Sequence, residues 1–168
     1  MQPDIFRRIK VPKRKHRMNL PGNHRGFTLT ELMIVVALMA ILAAIAVPNI
    51  IAQMPKYRLN GAARQVLSDL MAARMQAVSQ NNEFKVFFLD NHRYMILDDD
   101  DNDGTADAGE TTQTKDIQAD YPDVTFSSTN DPIFHPGGTA SNLATITLSN
   151  TSGTRSITIS SAGRVKIN

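Results

Sequence analysis

A long apolar run constrains this chain more than any other feature of its sequence. The sixteen residues Leu32–Val47 carry no charge, and residues 50–52 extend the run beyond Pro48. A helix of roughly 20 to 25 residues, rising about 1.5 Å per residue, is long enough to cross a hydrocarbon core of about 30 Å. The run therefore predicts one membrane-spanning helix.

The distribution of charge on the two sides of this run predicts its orientation. Residues 1–25 contain eight Lys and Arg against one acid, whereas residues 27–168 contain ten basic and fifteen acidic residues. Positive charge beside a span is retained in the cytoplasm, so the N-terminus is expected inside and the remainder outside. Because most of the excess positive charge lies in the first 25 residues, the composition gives little support for a nucleic-acid interface on the folded domain.

One charged residue, Glu31, stands at the entrance of the apolar run. An ionised carboxylate near the centre of a bilayer costs about 2.5 to 3.5 kcal/mol, and such groups are rare unless paired or functional. The simplest explanation is that Glu31 marks the interfacial end of the helix. A secretory signal peptide is a poor alternative, because its cleavage site follows the apolar core, whereas here Gly26 precedes it. An uncleaved signal anchor is a further alternative.

The segment from Gly26 to Val36, GFTLTELMIVV, resembles the class III signal of type IV pilins and type II secretion pseudopilins. The resemblance implies that a prepilin peptidase removes residues 1–26 as a cytoplasmic leader. Phe27 then becomes the N-methylated terminus. Glu31 is expected to pair with the terminal amine of a neighbouring subunit, and Pro48 matches the helix-kinking proline of the family. Residues 27–51 are thus expected to be both the membrane span and the assembly helix.

After Pro48 the apolar pattern changes from a continuous run to a helical repeat. It predicts an amphipathic continuation of the helix over residues 52–82, ended by Asn81 and Asn82. A proline and a glycine between residues 48 and 61 predict a bend or local unwinding. The apolar positions, spaced by three and four and expected to pack on a sheet, are Leu59, Ala62, Ala63, Val66, Leu67, Leu70, Met71, Ala77 and Val78.

From Phe84 onward the apolar period is two, which predicts strands. The strand segments are 84–89, 93–97, 124–126, 144–148, 156–159 and 164–167. Residues 127–142, rich in Pro and Gly, predict a long exposed loop. Residues 73–78 and 157–167 also resemble minor subunits of the GspH/FimT type. The predicted fold class is α+β: a long N-terminal membrane-spanning and amphipathic helix packed on a C-terminal antiparallel β-sheet domain, residues 83–168, as in a pilin-like lollipop.

The acidic segment 99–110 satisfies the twelve-residue calcium-loop pattern D-x-[DN]-x-[DN]-G-x5-E in full. The expected Ca²⁺ ligands are Asp99, Asp101, Asp103, the Thr105 carbonyl, Asp107 directly or through water, and a bidentate Glu110. A solvated acidic loop is the alternative. Because the preceding segment is strand-like and no flanking helix is predicted, we expect a lone, weak structural site with a Kd of about 10⁻⁴ to 10⁻³ M.

The sequence predicts no enzymatic activity, since it contains no nucleophile elbow, no zinc-protease motif, no phosphate-binding loop and no cysteine. The resemblances imply a minor pilin or pseudopilin in the bacterial inner membrane, with its C-terminal domain in the periplasm. Its expected partners are prepilin peptidase, other major and minor pilins or pseudopilins, and an inner-membrane assembly platform.

The implied filament is a type IV pilus or a type II secretion pseudopilus, which reaches the cell surface in the first case. The subunit is expected to act in initiation or at the tip. One alternative is an uncleaved, membrane-anchored calcium-binding domain. The other is a minor pilin that binds DNA for uptake, and its candidate phosphate contacts are Lys56, Arg58, Arg64 and Arg74.

Overall fold

A computed structural model describes residues 26–168. The expected leader, residues 1–26, therefore lies outside the described residues except for Gly26. The chain divides into two compact units, the first ending at Leu42 and the second comprising Ala43–Asn168. The second unit contains every buried core residue of the structure.

One helix, α1, spans Leu29–Gln80. Thr28 caps its start, because the Thr28 hydroxyl accepts a hydrogen bond of 3.2 Å from the backbone N–H of Glu31. At the other end Asn81 takes a left-handed φ of 57°, and the N–H of Asn82 donates to the Ala77 carbonyl at 3.2 Å. This is the closing bond of a Schellman turn. The predicted helix end at the two asparagines is confirmed.

The helix continues without a break through Pro48 and Pro55. Of the two outcomes expected between residues 48 and 61, local unwinding is therefore wrong. A proline removes one backbone N–H from the helical ladder, and the hydrogen-bonded turns on both sides are sufficient to carry the helix past it.

The C-terminal half of α1 supplies one wall of the core. Its buried residues are Leu59, Ala62, Ala63, Val66, Leu70, Ala73 and Ala77, a stripe with the three- and four-residue spacing of one helix face. The prediction was wrong for Met71 and Val78, which are 47% and 52% exposed. Each lies one residue beyond a buried position, so the turn of the helix carries its side chain off the packed stripe.

Nine strands follow the helix and pair only in the antiparallel sense. They are β1 Glu83–Phe88, β2 Arg93–Asp99, β3 Thr111–Asp116, β4 Thr125–Ser128, β5 Ile133–Phe134, β6 Ala140–Ser141, β7 Thr145–Asn150, β8 Gly153–Ile159 and β9 Val165–Ile167. One sheet has the order β3-β2-β1-β5-β6 and the other β4-β7-β8-β9. A helix packed on antiparallel sheets confirms the α+β fold class.

Two parts of the sheet prediction need correction. Strand β3 was not expected, because its residues are polar and exposed except for the half-buried Lys115. The segment 127–142 is not one long loop, since it contains β5 and β6 and buries Phe134 completely. His135 ties these short strands to β1: its Nδ1 lies 2.6 Å from Glu83 Oε1 and its Nε2 lies 2.8 Å from Ser141 Oγ.

Candidate assembly segment and acidic loop

The N-terminal part of α1 presents apolar side chains to its surroundings. The helix is long and apolar enough to cross a membrane, and its most apolar stretch is not buried. Phe27, which precedes the helix, is 83% exposed. Pro48 lies inside the helix and is exposed. A helix that is apolar on all sides and unburied fits a membrane anchor.

Glu31 occupies the third position of the helix, three residues after the capping residue Thr28. The pair forms the T-x-x-E pattern of a capping box, and a negative charge in the first turn is stabilised by the helix dipole. Among residues 26–168, no Lys, Arg or His side chain forms a salt bridge with Glu31. The local geometry thus accounts for a carboxylate at a helix start, and it leaves that carboxylate available to a cation from another molecule.

The acidic loop joins β2 to β3 and folds back on its own carboxylates. One oxygen from each of Asp99, Asp101 and Asp103 lies within 4.8 Å of the others. The N–H of Gly104, whose φ of 76° suits glycine, donates to Asp99 Oδ2 at 2.9 Å. The N–H of Asp103 donates to Asp101 Oδ1 at 3.1 Å. The structure therefore brings together three of the predicted ligands.

Asp99 differs from the other acids of the loop in its burial. It ends β2 and is only 1% exposed, and its Oδ1 has no hydrogen-bond partner among the described residues. Burial raises the pKa of the Asp99 carboxyl; the Gly104 N–H opposes this shift and the charge of Glu110 adds to it. At the exposed Asp103, hydrogen bonds from the Thr105 hydroxyl and N–H lower the pKa. Asp99 is thus a carboxylate whose charged form is costly without a further partner.

Asp107 and Glu110 are not part of this group of three converging carboxylates. Glu110 closes the loop by accepting hydrogen bonds from the backbone N–H groups of Asp100 at 3.0 Å and Asp107 at 2.8 Å. The side chain of Asp107 is exposed. Thr105 binds Asp103 Oδ1 through both its N–H at 2.7 Å and its hydroxyl at 2.6 Å.

Two residues that sequence reasoning missed support the loop from outside. Asn82 Nδ2 donates to Asp98 Oδ1 at 2.7 Å and to Asp100 Oδ1 at 2.8 Å. Lys85 Nζ donates to the Gly104 carbonyl at 2.8 Å. Both residues are far from the loop in sequence, and no local pattern links them to it. Only the antiparallel pairing of β1 with β2 brings them there.

Two of the four cations proposed for DNA binding are engaged within the domain. Arg58 Nη1 lies 3.4 Å from Asp123 Oδ1, and Arg74 donates to the carbonyls of Gly138 at 2.8 Å and Ala162 at 3.4 Å. Lys56 and Arg64 are exposed. Because contacts to phosphates need free cationic groups, this geometry weakens the DNA alternative.

The described part of the chain begins with an exposed apolar helix that has Thr28 as its cap and Glu31 in its first turn. The C-terminal part of this helix packs on antiparallel sheets. This is the architecture of a pilin-like subunit. Residues 62–163 match the family model described as "Type II transport protein GspH", and residues 21–47 match the model for the prokaryotic N-terminal methylation motif. The first match covers more than half of the chain. The protein belongs to the GspH family, and the predicted resemblance to minor pilins and pseudopilins is confirmed.

The chain is also similar to individual known proteins. The chain is 31% identical over 77 residues to the type II secretion system core protein G of Escherichia coli K12, a match that spans 46% of each protein. The fold is similar to that of the Pseudomonas aeruginosa PAO1 type IV minor pilin FimU, with a TM-score of 0.54 and 22% identity over 67% of this chain and 90% of that one. It is also similar to the Vibrio cholerae minor pseudopilin EpsH, with a TM-score of 0.52 and 11% identity over 66% and 96% of the two chains.

Proposed function

We propose that this protein is a minor subunit of a pilin-type filament, cut between Gly26 and Phe27 by a prepilin peptidase and then inserted into the filament from the bacterial inner membrane. The domain that begins at β1 lies on the periplasmic side, in accord with the basic residues before the span. The observation that carries the proposal is Glu31, a carboxylate that has no salt-bridge partner among residues 26–168 and lies at the start of an unburied apolar helix.

The apolar side chains of the helix are covered by lipid before assembly and by the helices of other subunits afterwards. In lipid there is little hydrophobic drive for helices to associate, so association depends on close packing of small residues. The span contains five alanines, Ala37, Ala40, Ala43, Ala44 and Ala46. Their small side chains allow the backbones of neighbouring helices to approach closely.

Glu31 aligns these helices by pairing with the methylated amine of Phe27 in an adjacent subunit. In an apolar bundle the lone carboxylate is costly, and the ion pair removes that cost. A subunit shifted along its neighbour would leave both charges unpaired. The pairing therefore selects one register between subunits.

The charge of Glu31 and its role in capping can be separated by substitution. Glu31→Gln keeps a capping-box side chain but removes the charge. We expect this variant to be inserted and cleaved normally and to be absent from filaments. Thr28→Val removes the capping hydroxyl and keeps the carboxylate, so it should be incorporated. Membrane fractions and sheared filaments, compared by quantitative mass spectrometry of the processed N-terminus, provide the measurement. Normal incorporation of Glu31→Gln would refute the pairing role, and an unprocessed N-terminus in wild-type filaments would refute cleavage.

The kind of filament is decided by deleting the gene and comparing sheared surface appendages with the secreted proteins of the same strain. Loss of pili assigns the subunit to a type IV pilus, and intact pili with lost secretion assign it to a secretion pseudopilus. If neither changes, the uncleaved membrane-anchored domain becomes the better explanation.

A further inference from the structure

The acidic loop is the feature of the domain that filament assembly does not explain. Among residues 26–168, Asp99 is the one charged residue that is buried. Its Oδ1 has no partner there, although Oδ2 accepts the Gly104 N–H. An unpaired buried charge destabilises a fold unless a cation meets it. The missing partner is therefore expected at Oδ1.

The surroundings of Asp99 add negative charge and little positive charge. Seven acids lie between residues 98 and 110, and none of them forms a salt bridge with a Lys, Arg or His of the described chain. Lys85, the nearby cation, donates its hydrogen bond to the Gly104 carbonyl instead. Carboxylate oxygens of Asp99, Asp101 and Asp103 nevertheless converge within 4.8 Å of one another. Such an arrangement is stable when an ion lies between them.

We propose that the loop 99–110 binds one Ca²⁺ ion, with Asp99, Asp101 and Asp103 as the central ligands. The ligand set consists of hard oxygens, and the loop is irregular, which suits the flexible six- to eightfold coordination of Ca²⁺. Mg²⁺ is disfavoured because it demands a near-octahedral geometry and retains its waters. Completing the sphere with the Thr105 carbonyl, Asp107 and Glu110 would require the loop to close around the ion, because both Glu110 carboxylate oxygens accept backbone N–H groups in the structure.

The position of the loop gives the ion a wider structural role. Asp99 ends β2, and Thr111 begins β3 directly after Glu110. Strand β3 is an exposed edge that pairs only with β2, and it buries almost nothing of its own. An ion that fixes both ends of the loop therefore stabilises β3 in its register. Through Asn82, which bonds Asp98 and Asp100, the same loop is tied to the end of α1.

The test uses the full chain in detergent micelles, freed of divalent ions with EGTA and then dialysed. Titration with CaCl₂, followed by calorimetry, is expected to give one ion per chain with a Kd of about 10⁻⁴ to 10⁻³ M. At 10 mM CaCl₂ the melting temperature should rise by about 5 to 15 °C. MgCl₂ at the same concentration should give a much smaller rise. Backbone hydrogen exchange should slow in residues 99–116 and remain unchanged in β7.

Substitutions separate a specific site from general screening of acidic charge. Asp101→Asn alters an exposed carboxylate and should weaken calcium binding at least tenfold while leaving the fold intact. Asp120→Asn replaces an exposed acid outside the loop and should bind Ca²⁺ like the wild type. Asp99→Asn should abolish the calcium response yet raise the melting temperature in EGTA, because it removes a buried charge.

The proposal is overturned if 10 mM CaCl₂ neither shifts the melting temperature nor produces binding heat. It is also overturned if Asp101→Asn and Asp120→Asn respond to Ca²⁺ equally, or if Mg²⁺ matches Ca²⁺, since both results describe a screened acidic loop. If Asp99→Asn fails to fold, the comparison of Asp101→Asn with Asp120→Asn still decides the question. None of these results depends on cleavage or filament assembly.

Discussion

Replacing Gly163 with alanine perturbs the tightest backbone approach found around the glycines of the domain. Gly163 lies in the turn between β8 and β9 with a φ of 69°. A Cβ at this position would overlap the Gly138 carbonyl oxygen and lie 2.7 Å from Arg74 Nε. Arg74 Nε itself donates to that carbonyl at 2.8 Å. The substitution therefore strains the turn and disturbs the contact between helix α1 and two loops.

The expected loss of stability has three contributions. A non-glycine residue with this positive φ costs about 1 to 2 kcal/mol. Relieving the clash requires movement of the backbone at Gly138, and overpacking of this kind costs about 1 to 3 kcal/mol. A hydrogen bond from a charged donor contributes about 1.5 to 3 kcal/mol. Because one backbone shift relieves the clash and breaks the hydrogen bond together, we expect a total of about 3 to 5 kcal/mol.

Thermal unfolding of the full chain in detergent, followed by near-ultraviolet circular dichroism of the packed tyrosines, measures this loss. A loss of this size lowers the melting temperature by about 12 °C or more in a domain near 100 residues. Gly137→Ala is the matched control, because nothing lies within 4 Å of the added Cβ and its φ is not positive. It should change stability by no more than about 0.5 kcal/mol. If the two variants melt together, the steric argument is refuted.

Two further predictions concern the core and the response to acid. Leu70→Ala leaves a cavity at a site that is 1% exposed, and should lower the free energy of unfolding by about 2 to 5 kcal/mol. Met75→Ala, at a site that is 71% exposed, should lower it by less than about 1 kcal/mol. Urea unfolding of the two variants measures the difference. Asp90 accepts the backbone N–H of His92, and this bond and Arg93 lower its pKa from 3.8 to about 2. The ionised Asp90 carboxylate therefore stabilises the fold above about pH 4, and this stabilisation is lost as the pH falls toward 2. The melting temperatures of the wild type and Asp90→Asn should converge in acid. A difference that stays constant with pH would contradict this.

The helix and most strands were predictable because their signals are local. The apolar run Leu32–Val47, the helical spacing that follows it and the two asparagines after Gln80 indicate α1 without knowledge of the fold. Strand β3 carries no such signal. Its six residues are polar, and all but the half-buried Lys115 are exposed. It forms because β2 offers backbone hydrogen bonds at the edge of the sheet. Backbone pairing leaves little trace in side-chain chemistry.

The segment 127–142 was also predicted incorrectly, because tertiary contacts determine its structure. Its Pro and Gly residues are typical of a loop, yet Phe134 is completely buried and His135 bridges Glu83 and Ser141. Glu83 lies 52 residues earlier in the chain. Residues 133–134 and 140–141 are held as strands by tertiary contacts. A strand of two residues is too short to show an alternating apolar pattern in the sequence.

Some features of the acidic loop were predictable from the local sequence, and others depend on the fold. The alternate spacing of Asp99, Asp101 and Asp103 was sufficient to predict that their carboxylates converge, because a tight turn at Gly104 brings alternate side chains together. The burial of Asp99 was not predictable, since it depends on the position of β2 in the sheet. The role of Glu110 as a bidentate ligand stays a prediction, and its bonds to two backbone N–H groups could not be predicted because they depend on the folded loop.

Glu31 and Asp99 pose one physical problem in two settings. Each is a carboxylate whose charge is poorly solvated by water. Glu31 lies at the start of an apolar helix, and Asp99 is buried at the start of the acidic loop. Neither has a salt-bridge partner among residues 26–168. An unpaired charge at either site is costly, and a cation from elsewhere would remove that cost. In the proposed assembly, a monovalent amine of another subunit would suffice for Glu31, since one charge needs one partner. In the proposed metal site, a divalent ion would be needed at Asp99, because Asp101 and Asp103 converge on the same point and a single ammonium group would leave the cluster negative. On these two proposals, the number of converging carboxylates distinguishes an assembly contact from a metal site.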